Sequence, residues 1–255
     1  MNPQDRDRKA DTITRFISDT VEAAGAEGVV VGLSGGLDSA LVTRLCVQAL
    51  GPDRVHTAYL PSSSSLQDDE RATSSLSRLL GTRHEVIRID SIVAAAAATL
   101  NAWEDRLGMG NLMARSRMMI LYHIARRRRL LVMGTGNRSE IMMGYFTKHG
   151  DGACDALPIG GLFKTEVRGM AQSLGIPEEF LIKPPSAGLW DGQTDEEEMG
   201  ISYLELDAIL AAIAEGNEAT EISYQTGSSI STVEVVLQRV ESSRHKSRLP
   251  PTPRL

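Results

Sequence analysis

A short apolar strand that runs into a glycine-rich turn is the feature that most constrains this chain. Residues 29–31 are three consecutive valines, as in a strand buried in a parallel sheet, and apolar residues at helical spacing begin at Ala40. Between them lies Ser-Gly-Gly-Leu-Asp-Ser, residues 34–39. A glycine-rich turn between a strand and a helix N-terminus lets the backbone approach a phosphate, and the helix dipole favours the negative charge. The stretch therefore predicts an α/β fold with an anion site, and the alternative is an ordinary tight turn capped by Asp38 or Ser39.

The same stretch differs from the commoner phosphate loops. It lacks the lysine of a Walker A loop, and it lacks the Gly-x-Gly-x-x-Gly spacing of dinucleotide-binding folds. Ser-Gly-Gly-x-Asp-Ser after a strand instead resembles the pyrophosphate loop of the ATP pyrophosphatases, which cleave ATP to AMP and pyrophosphate. This resemblance implies that the loop holds the β- and γ-phosphates of ATP and that Asp38 binds Mg²⁺.

The composition limits the partners and the compartment. The 255 residues suffice for one α/β domain with a large core, or for one domain with a small appendage. A net charge of −6 argues against broad binding to nucleic acid or to anionic membranes. The two cysteines make no disulfide framework, and Cys46 falls on the apolar side of a predicted helix. Because neither a signal peptide nor an 18-residue apolar run occurs, we expect a cytoplasmic protein without membrane or nucleic-acid partners.

The pattern along the chain predicts an α/β fold, a doubly wound and mostly parallel sheet with helices on both faces. After the valine strand, further strands are predicted at 55–60, 85–90 and 130–133, and helices at 10–24, 40–49, 69–80, 92–100 and 111–124. From Ile201 onward the spacing is helical, so we expect a domain over residues 1–200 and a helical appendage with a basic tail over residues 201–255. Two of the late helices imitate a helix-turn-helix, but the second one begins with few basic residues, which disfavours DNA binding.

The serine-rich segment 61–70 is a candidate lid. It leaves the predicted carboxyl end of a strand, which in a doubly wound sheet is the edge beside the ligand. An acidic first helical turn follows the serines and suits the helix dipole. A plain solvated linker is an equal alternative on composition alone.

Two groups of arginines have different predicted roles. Arg115 and Arg117 fall near the predicted start of the helix that opens at Asn111, where the dipole disfavours cations, so we expect them to meet an anion. The run 126–129 ends the same helix, where positive charge is favoured. We interpret it as a solvated helix end rather than as a nucleic-acid patch, because no aromatic residues are interleaved with it.

A second strand and glycine-rich turn follow at residues 130–140. The turn reads Gly-Thr-Gly-Asn-Arg-Ser-Glu and ends at Glu140. Because the carboxyl ends of parallel strands share one edge of a sheet, Glu140 is expected near Asp38. One or two carboxylates together with substrate phosphates are a typical Mg²⁺ environment, although Glu140 alone could equally be a carboxylate in the first turn of a helix.

Five segments, taken together, resemble the ammonia-dependent NAD synthetases. They are Asn-Leu-Met-Ala-Arg-Ser-Arg-Met (111–118), Gly-Thr-Gly-Asn-Arg-Ser-Glu (134–140), Gly-Tyr-Phe-Thr-Lys-His-Gly-Asp-Gly (144–152), Leu-Phe-Lys-Thr-Glu-Val (162–167) and Lys-Pro-Pro-Ser-Ala-Gly-Leu-Trp-Asp-Gly-Gln-Thr-Asp-Glu-Glu-Glu (183–198). With the pyrophosphate loop, the resemblance runs in order from about residue 10 to residue 246. It implies that MgATP adenylates the carboxylate of nicotinic acid adenine dinucleotide (deamido-NAD) and that ammonia then displaces AMP to give NAD⁺. It also implies a homodimer with the dinucleotide site at its interface, and a second lid at 183–198.

The resemblance also assigns roles to individual residues. ATP binding falls to Gly32, Leu33, Ser34, Gly35, Gly36, Leu37, Asp38, Ser39, Thr135, Lys164 and Ser186. Mg²⁺ binding falls to Asp38 and Glu140, and deamido-NAD binding falls to Arg115, Lys148, Asp155, His245 and Lys246. The predicted catalytic residues are Asp38, Lys164, which neutralises phosphate charge, and Asp151, which accepts a proton from ammonium. A turn residue is the alternative for Asp151 and a surface charge is the alternative for Lys164.

Two other functions stay open on the sequence. A related adenylating enzyme that acts on tRNA or in GMP synthesis would need a basic face or a purine-site sequence. A nucleotide sensor would hold ATP without turnover, but it gives no reason for Glu140, Lys148, Asp151, Asp155 and Lys164 as a set. The 27 residues before the first strand leave no room for an amidohydrolase domain, so ammonia is expected to arrive free or from a separate protein.

Overall fold

The computed structural model describes residues 2–63, 65–101, 105–186, 188, 190 and 192–253. Its parallel sheet consists of β1 (Gly28–Gly32), β2 (Val55–Tyr59), β3 (Arg83–Val86) and β4 (Leu130–Met133), in the spatial order β3-β2-β1-β4. The helices of the described residues are α1 (Pro3–Ala23), α2 (Leu37–Leu50), α3 (Gln67–Leu80), α4 (Asp90–Leu100), α5 (Arg106–Arg128), α6 (Arg138–Met143), α7 (Lys164–Ser173), α8 (Glu178–Ile182), α9 (Asp195–Met199), α10 (Tyr203–Ala214), α11 (Ala219–Thr226) and α12 (Ile230–Ser243).

The valines of β1 divide between the two faces of the sheet. Val29 and Val31 pack into an apolar cluster with residues of α1, α2 and α7, whereas Val30 packs into a second cluster with residues of α4 and α5. Successive side chains of a strand point to opposite faces, so a strand covered on both sides is apolar throughout. The predicted doubly wound α/β fold with helices on both faces is therefore confirmed.

The order of the strands positions the functional site. The chain moves from β1 to β2 and β3 on one side, and it then crosses to β4 on the other side of β1. Ligands of open α/β sheets bind at such a reversal, outside the carboxyl ends of the two diverging strands. The turns that follow β1 and β4 are therefore neighbours, as the sequence predicted.

The bounds predicted for the third strand were wrong. The structure has β3 at Arg83–Val86 instead of 85–90. Its partner β2 ends at Tyr59, which pairs with Val86, so no partner strand continues beyond that point. Ile87 N still donates to Tyr59 O at 2.9 Å, and α4 begins shortly afterwards.

The predicted start of α5 was also wrong. The expectation that Arg115 and Arg117 lie near a helix start was therefore wrong as well. The helix begins at Arg106 rather than at Asn111, because the Asp105 side chain caps it by accepting a hydrogen bond from Gly108 N at 2.8 Å. Arg115 and Arg117 consequently lie in the middle of the helix, where the dipole gives no reason for an anion.

The end of α5 agrees with the prediction. Residues 126–128 form its last turn, and Arg129 closes the helix in the left-handed conformation at φ 58°. All four arginines are exposed, and two of them form ion pairs, Arg128 with Glu85 and Arg129 with Glu27. This run is therefore a charged helix end, which suits the negative end of the dipole.

The late helices α10, α11 and α12 share an apolar cluster of their own. Leu206, Ile222 and Val233 are fully buried in it, and Met143 and Phe163 pack against them from the α/β part of the chain. The predicted helices are confirmed, and the domain boundary at residue 200 stays a prediction.

Two further expectations concern Cys46 and membrane-spanning helices. Cys46 is fully buried in α2, and burial raises the pKa of its thiol to about 12, so it behaves as the small apolar residue that was predicted. Within the described residues, none of the helices combines the length and the hydrophobicity that a membrane span requires.

Candidate active site

The serines of the glycine-rich turn fix its shape. Ser39 Oγ accepts a hydrogen bond from Ser34 N at 3.1 Å and donates one to Gly36 O at 2.9 Å. Gly36 is the N-cap residue of α2, and it forms no side-chain cap. The alternative in which Asp38 or Ser39 caps the helix is therefore wrong, and no side chain occupies the cap position where an anion site is predicted.

Gly35 brings this loop against α3. It has a φ of +83°, and a Cβ at this position would lie 2.9 Å from Asp69 Oδ1. Asp69 forms an ion pair with Lys183, whose Nζ also lies 3.5 Å from Gly35 O. No sequence pattern predicts a role for Lys183 or Asp69. The acidic first turn of α3 was visible, but its contact with a residue so distant in the sequence was not.

Lys164 connects the two turns. Its ammonium group forms an ion pair with Asp38, and it lies 3.7 Å from Glu140 Oε1. Asp38 Oδ1 also accepts a hydrogen bond from Asn137 Nδ2 at 3.0 Å. Only 8% of Lys164 is exposed, so the alternative of a surface charge is wrong. The structure thus brings together Asp38, Glu140 and Lys164, three of the residues proposed for ATP and Mg²⁺.

The two carboxylate oxygens of Glu140 have different contacts. Glu140 Oε2 accepts a hydrogen bond from Asn137 N at 3.1 Å, while Glu140 N donates to Asn137 Oδ1 at 3.0 Å. This capping box begins α6. Oε1 instead faces Lys164, so Glu140 is a first-turn helix carboxylate and also belongs to the charged cluster.

The charges of this cluster favour a bound cation. Burial raises the pKa of Glu140 and the nearby Asp38 raises it further, while Lys164 lowers it. Burial alone would lower the pKa of Lys164, but Asp38 and Glu140 outweigh it and raise this pKa. Lys164 therefore stays charged, and the ionised form of Glu140 depends on nearby positive charge.

The donor set fits Mg²⁺. Hard carboxylate oxygens are what this ion takes from proteins, and it often uses only one or two of them together with phosphates and water. In the part of the chain that the structure describes, no group of three or more His, Cys, Asp or Glu side chains is arranged to hold a metal. A site built on Asp38 and Glu140 would therefore leave most ligand positions to the substrate.

Comparison with known proteins identifies the family. The family model of NAD synthase matches residues 9–250. The chain belongs to the NAD synthase family. The NH(3)-dependent NAD(+) synthetase of Methanosarcina acetivorans is 46% identical to this chain, and the alignment covers 98% of this chain and 99% of the relative. The NH(3)-dependent NAD(+) synthetase of Methanocaldococcus jannaschii is also 46% identical, and the alignment covers 95% of each chain. The family resemblance found in the sequence is confirmed.

Solved structures of NAD synthase relatives share the fold over the full length. The NMN synthetase from Francisella tularensis has a TM-score of 0.87 at 36% identity, and the alignment covers 98% of this chain and 99% of that one. The NH3-dependent NAD synthetase from Campylobacter jejuni has a TM-score of 0.82 at 28% identity, with 100% of both chains covered. The α/β fold is thus the fold of the family.

A second group of family-matched residues surrounds the segment 144–148. Lys148 Nζ donates to His245 O at 3.1 Å, and Arg115 Nε donates to Lys148 O at 3.4 Å. Lys246 Nζ donates to Gly144 O at 2.7 Å. Four of the five residues predicted to bind deamido-NAD are therefore neighbours, although they come from α5, a loop and the C-terminal tail.

The fifth residue, Asp155, lies beside β4. Its Oδ2 accepts a hydrogen bond from Val132 N at 2.7 Å, and its Oδ1 accepts one from the Tyr122 hydroxyl at 3.2 Å.

The predicted catalytic residue Asp151 lies in a turn. Asp151 Oδ1 accepts a hydrogen bond from Thr147 N at 2.9 Å, as a turn residue would. No hydrogen bond or ion pair among the described residues links Asp151 to Lys164.

The remaining predicted ATP residues lie at the same edge of the sheet or on the candidate lids. Gly32 ends β1, Leu33 N donates to Ala58 O at 3.0 Å, and Thr135 is half-buried in the turn after β4. Ser186 is exposed, and its Oγ accepts a hydrogen bond from Gly188 N at 3.1 Å. Residues 64, 187, 189 and 191 of the two candidate lids lie outside the described residues.

In the first candidate lid, the described serines form hydrogen bonds with each other and with α4. Ser62 N donates to Ser65 Oγ at 3.0 Å, and Ser63 N donates to Asp90 Oδ1 at 2.6 Å. Arg117 Nε donates to Leu60 O at 3.0 Å, at the residue just before this segment. Arg117 therefore has a backbone partner in place of the anion that the sequence suggested.

Helix α10 supplies a residue that the sequence analysis missed. Asp207 is buried, and its two oxygens accept hydrogen bonds from Ser139 Oγ at 2.5 Å and from Thr165 N at 2.8 Å. Ser139 Oγ in turn accepts a hydrogen bond from Lys164 N at 3.0 Å. Asp207 thus holds together the starts of α6 and α7, the helices that carry Glu140 and Lys164. A carboxylate in the apolar stripe of α10 was the available sequence signal.

Proposed function

We propose that this chain amidates deamido-NAD with ammonia to give NAD⁺, and that it cleaves ATP to AMP and pyrophosphate in doing so. The observation that carries the proposal is the bridge of Lys164 between Asp38 and Glu140, at the point where β1 and β4 end. Membership of the NAD synthase family supports the substrate, and the 46% identity to NH(3)-dependent NAD(+) synthetases supports ammonia as the nitrogen donor. ATP is the co-substrate.

The first half-reaction is adenylation. A nicotinate carboxylate oxygen attacks the α-phosphorus of ATP, and the bond from that phosphorus to pyrophosphate breaks. Negative charge builds up on the departing pyrophosphate, beside the loop of residues 34–39 and the Lys164 ammonium group, both of which stabilise it. Mg²⁺, held by Asp38 and Glu140, would supply further positive charge to the phosphate oxygens.

The second half-reaction forms the amide. The nitrogen of ammonia attacks the acyl carbon, the bond from this carbon to the AMP oxygen breaks, and the nitrogen loses a proton. Asp151 is our candidate for holding ammonium and accepting its proton. Its place in the segment 144–152, which also carries Lys148, supports a position near the dinucleotide. The activated acyl group needs protection from water, which is the role we propose for the segments 61–70 and 183–198.

A second candidate substrate is nicotinic acid mononucleotide. One specific observation favours it, namely the TM-score of 0.87 and 36% identity to the NMN synthetase from Francisella tularensis. The adenylation and amidation would be the same, since both substrates carry the reacting carboxylate on the nicotinate ring. The two candidates differ only in whether the adenylyl half of the dinucleotide is needed.

Assembly and location are also part of the proposal. We propose a homodimer whose interface includes the exposed face of α5, where Met119 and Tyr122 are apolar and Tyr122 contacts Asp155. Both cysteines are free thiols, which fits a cytoplasmic enzyme. Ammonia is taken up free or from a separate supplying protein. The molar mass in solution, measured by light scattering, tests the dimer.

Product analysis tests the proposed function. The purified protein is incubated with ATP, Mg²⁺ and ammonium, together with either deamido-NAD or nicotinic acid mononucleotide. We expect NAD⁺, AMP and pyrophosphate in equal amounts from the dinucleotide. Asp38→Ala abolishes all three products, whereas Asp53→Ala, a matched change in an exposed residue far from the site, retains them.

Other outcomes assign other functions. A higher kcat/KM for the mononucleotide than for the dinucleotide would make the second candidate correct. ATP binding without release of pyrophosphate would favour the nucleotide sensor. Pyrophosphate release without an amide product would retain the adenylating chemistry and reject the proposed acceptor or nitrogen donor.

A further inference from the structure

Asp195, the first residue of α9, has a buried carboxylate oxygen that has no hydrogen-bond partner in the described part of the chain. The residue is 3% exposed, and its Oδ2 accepts a hydrogen bond from the Tyr203 hydroxyl at 3.0 Å. Its Oδ1 is buried and accepts no hydrogen bond from any residue that the structure describes. Buried polar atoms are normally satisfied, so an orphaned carboxylate oxygen requires an explanation.

The Tyr145 hydroxyl interacts with both Asp195 and Glu198, and it donates its single proton to Glu198. Glu198 is also the acceptor for Gln193 Nε2, at 3.1 Å. Among the described residues, Asp195 Oδ1 therefore stays without a hydrogen-bond donor.

Asp195 faces the charged cluster at the ends of β1 and β4. The Tyr203 ring that holds it also lies beneath Lys164, with Nζ 5.4 Å from the ring centroid. Asp195 interacts electrostatically with Lys164, Glu140 and Asp38. Asp195 thus adds a third buried carboxylate to the electrostatic surroundings of Lys164, which forms ion pairs with Asp38 and Glu140.

The combined charge of Asp38, Glu140, Asp195 and Lys164 favours a bound divalent cation. With all three carboxylates ionised, the group has a formal charge of −2, and burial makes such an excess unfavourable. Asp195 does not join Asp38 and Glu140 as a direct ligand, since no set of three acidic side chains in the described residues is arranged around one point. It can act only through its charge and through a hydrogen bond.

We propose that Asp195 is a third acidic residue of the cation site, which strengthens cation binding from outside the ligand sphere. This inference rests on the cation site of Asp38 and Glu140 proposed above.

Binding of Mn²⁺, a paramagnetic substitute for Mg²⁺, tests the role of Asp195 without turnover. Free Mn²⁺ is measured by electron paramagnetic resonance in the presence of α,β-methylene ATP, which cannot be cleaved at the α-phosphorus. Asp195→Asn keeps an acceptor for the Tyr203 hydroxyl but removes the charge. We expect it to weaken Mn²⁺ binding about 10- to 100-fold, as changes just outside a metal's ligands do. The matched control is Glu197→Gln on the exposed side of α9, which should bind within about 2-fold of the parent.

Asp195→Ser, which also lacks the carboxylate, repeats the Mn²⁺ measurement if the amide variant fails to fold.

The outcomes separate this inference from the proposed function. If Asp195→Asn and the parent bind Mn²⁺ equally well while Glu140→Gln binds weakly, the role of Asp195 is wrong and the cation site stands. If Asp195→Asn changes only the KM for ammonium, the residue belongs to the nitrogen site and the inference is also wrong. If the parent itself binds no Mn²⁺ with the analogue, both the cation site and the inference fail.

Discussion

Lys164 decides the electrostatics of the site because it is buried between two carboxylates. Its ammonium group offsets the repulsion between Asp38 and Glu140, which would otherwise face each other away from water. Removing one partner of a buried ion pair leaves an uncompensated charge, and this costs about 3–5 kcal/mol. Lys164 is therefore expected to stabilise the folded protein, in addition to the phosphate neutralisation that we propose for it.

Lys164→Gln should lower the free energy of unfolding by about 3 kcal/mol, because two buried carboxylates lose their counter-ion. Added Mg²⁺ should recover more stability in this variant than in the parent, since it replaces the missing positive charge. Urea unfolding with and without Mg²⁺ measures both effects. Lys9→Gln, which removes a partly exposed ion pair with Glu166, is the control and should cost less than about 1 kcal/mol. An equal Mg²⁺ effect in variant and parent would contradict the account.

His84 is a second residue whose surroundings set its ionisation. Its Nδ1 lies 2.8 Å from Thr57 Oγ1, and its Nε2 is buried without a hydrogen-bond partner in the described part of the chain. Burial lowers the pKa of His84 below its ordinary value of 6.5. The folded protein therefore holds this imidazole neutral at a pH where the unfolded chain would bind a proton.

The stability should fall as the pH drops below about 6.5, because protons then bind the unfolded state in preference. One histidine contributes a slope of at most about 1.4 kcal/mol per pH unit, and it does so only between its folded and unfolded pKa values. His84→Gln should flatten the dependence of the unfolding free energy between pH 7 and pH 5. The substitution should not abolish this pH dependence, because burial also lowers the pKa of His56. The exposed His123→Gln is the control, and an unchanged slope in His84→Gln would refute the assignment.

At the level of elements, the sequence predicted the strands and turns whose signals are local. The valines of β1 and the apolar run of β4 indicated buried strands, and each was followed by a glycine-rich turn with a carboxylate. Parallel strands place such turns at one edge, so the proximity of Asp38 and Glu140 followed from topology alone. The family resemblance added Lys164, whose contact with both carboxylates has no local signal.

The elements that were missed depend on contacts between distant parts of the chain. The end of β3 is set by the end of its partner β2, which its own alternating sequence does not reveal. Asp195 and Asp207 come from the region after residue 190 and reach the site only because α9 and α10 pack against it. The start of α5 could have been found, since Asp105 is a good N-cap residue.

Helix α10 should control the site through Asp207. Asp207→Asn weakens two buried hydrogen bonds to a charged acceptor, so we expect a loss of about 2 kcal/mol in the free energy of unfolding. Because Asp207 positions Ser139 and the start of α7, kcat should also fall, with a smaller change in the KM for ATP. Chemical unfolding and steady-state kinetics measure these effects, and Glu215→Gln, an exposed change at the end of α10, is the control. Full stability together with full kcat would show that Asp207 does not position the site.

At the scale of the whole molecule, three apolar clusters position the charged cluster. The apolar clusters on the two faces of the sheet fix β1 and β4 next to each other, and the late helices pack against the turns that follow these strands. The charged cluster therefore lies where the sheet and the C-terminal helices meet. The residues proposed to bind deamido-NAD come together next to these late helices, because the tail at His245 and Lys246 contacts the segment 144–148.

The fate of the carboxylate oxygen tests this account most directly. Deamido-NAD labelled with oxygen-18 in its nicotinate carboxylate is converted with ATP, Mg²⁺ and ammonium, and the products are analysed by mass spectrometry. If the carboxylate attacks the α-phosphorus beside Asp38 and Lys164, one labelled oxygen leaves with AMP and the NAD⁺ amide retains the other. Label in phosphate or pyrophosphate, or NAD⁺ formed with unlabelled AMP, would contradict the proposed adenylation.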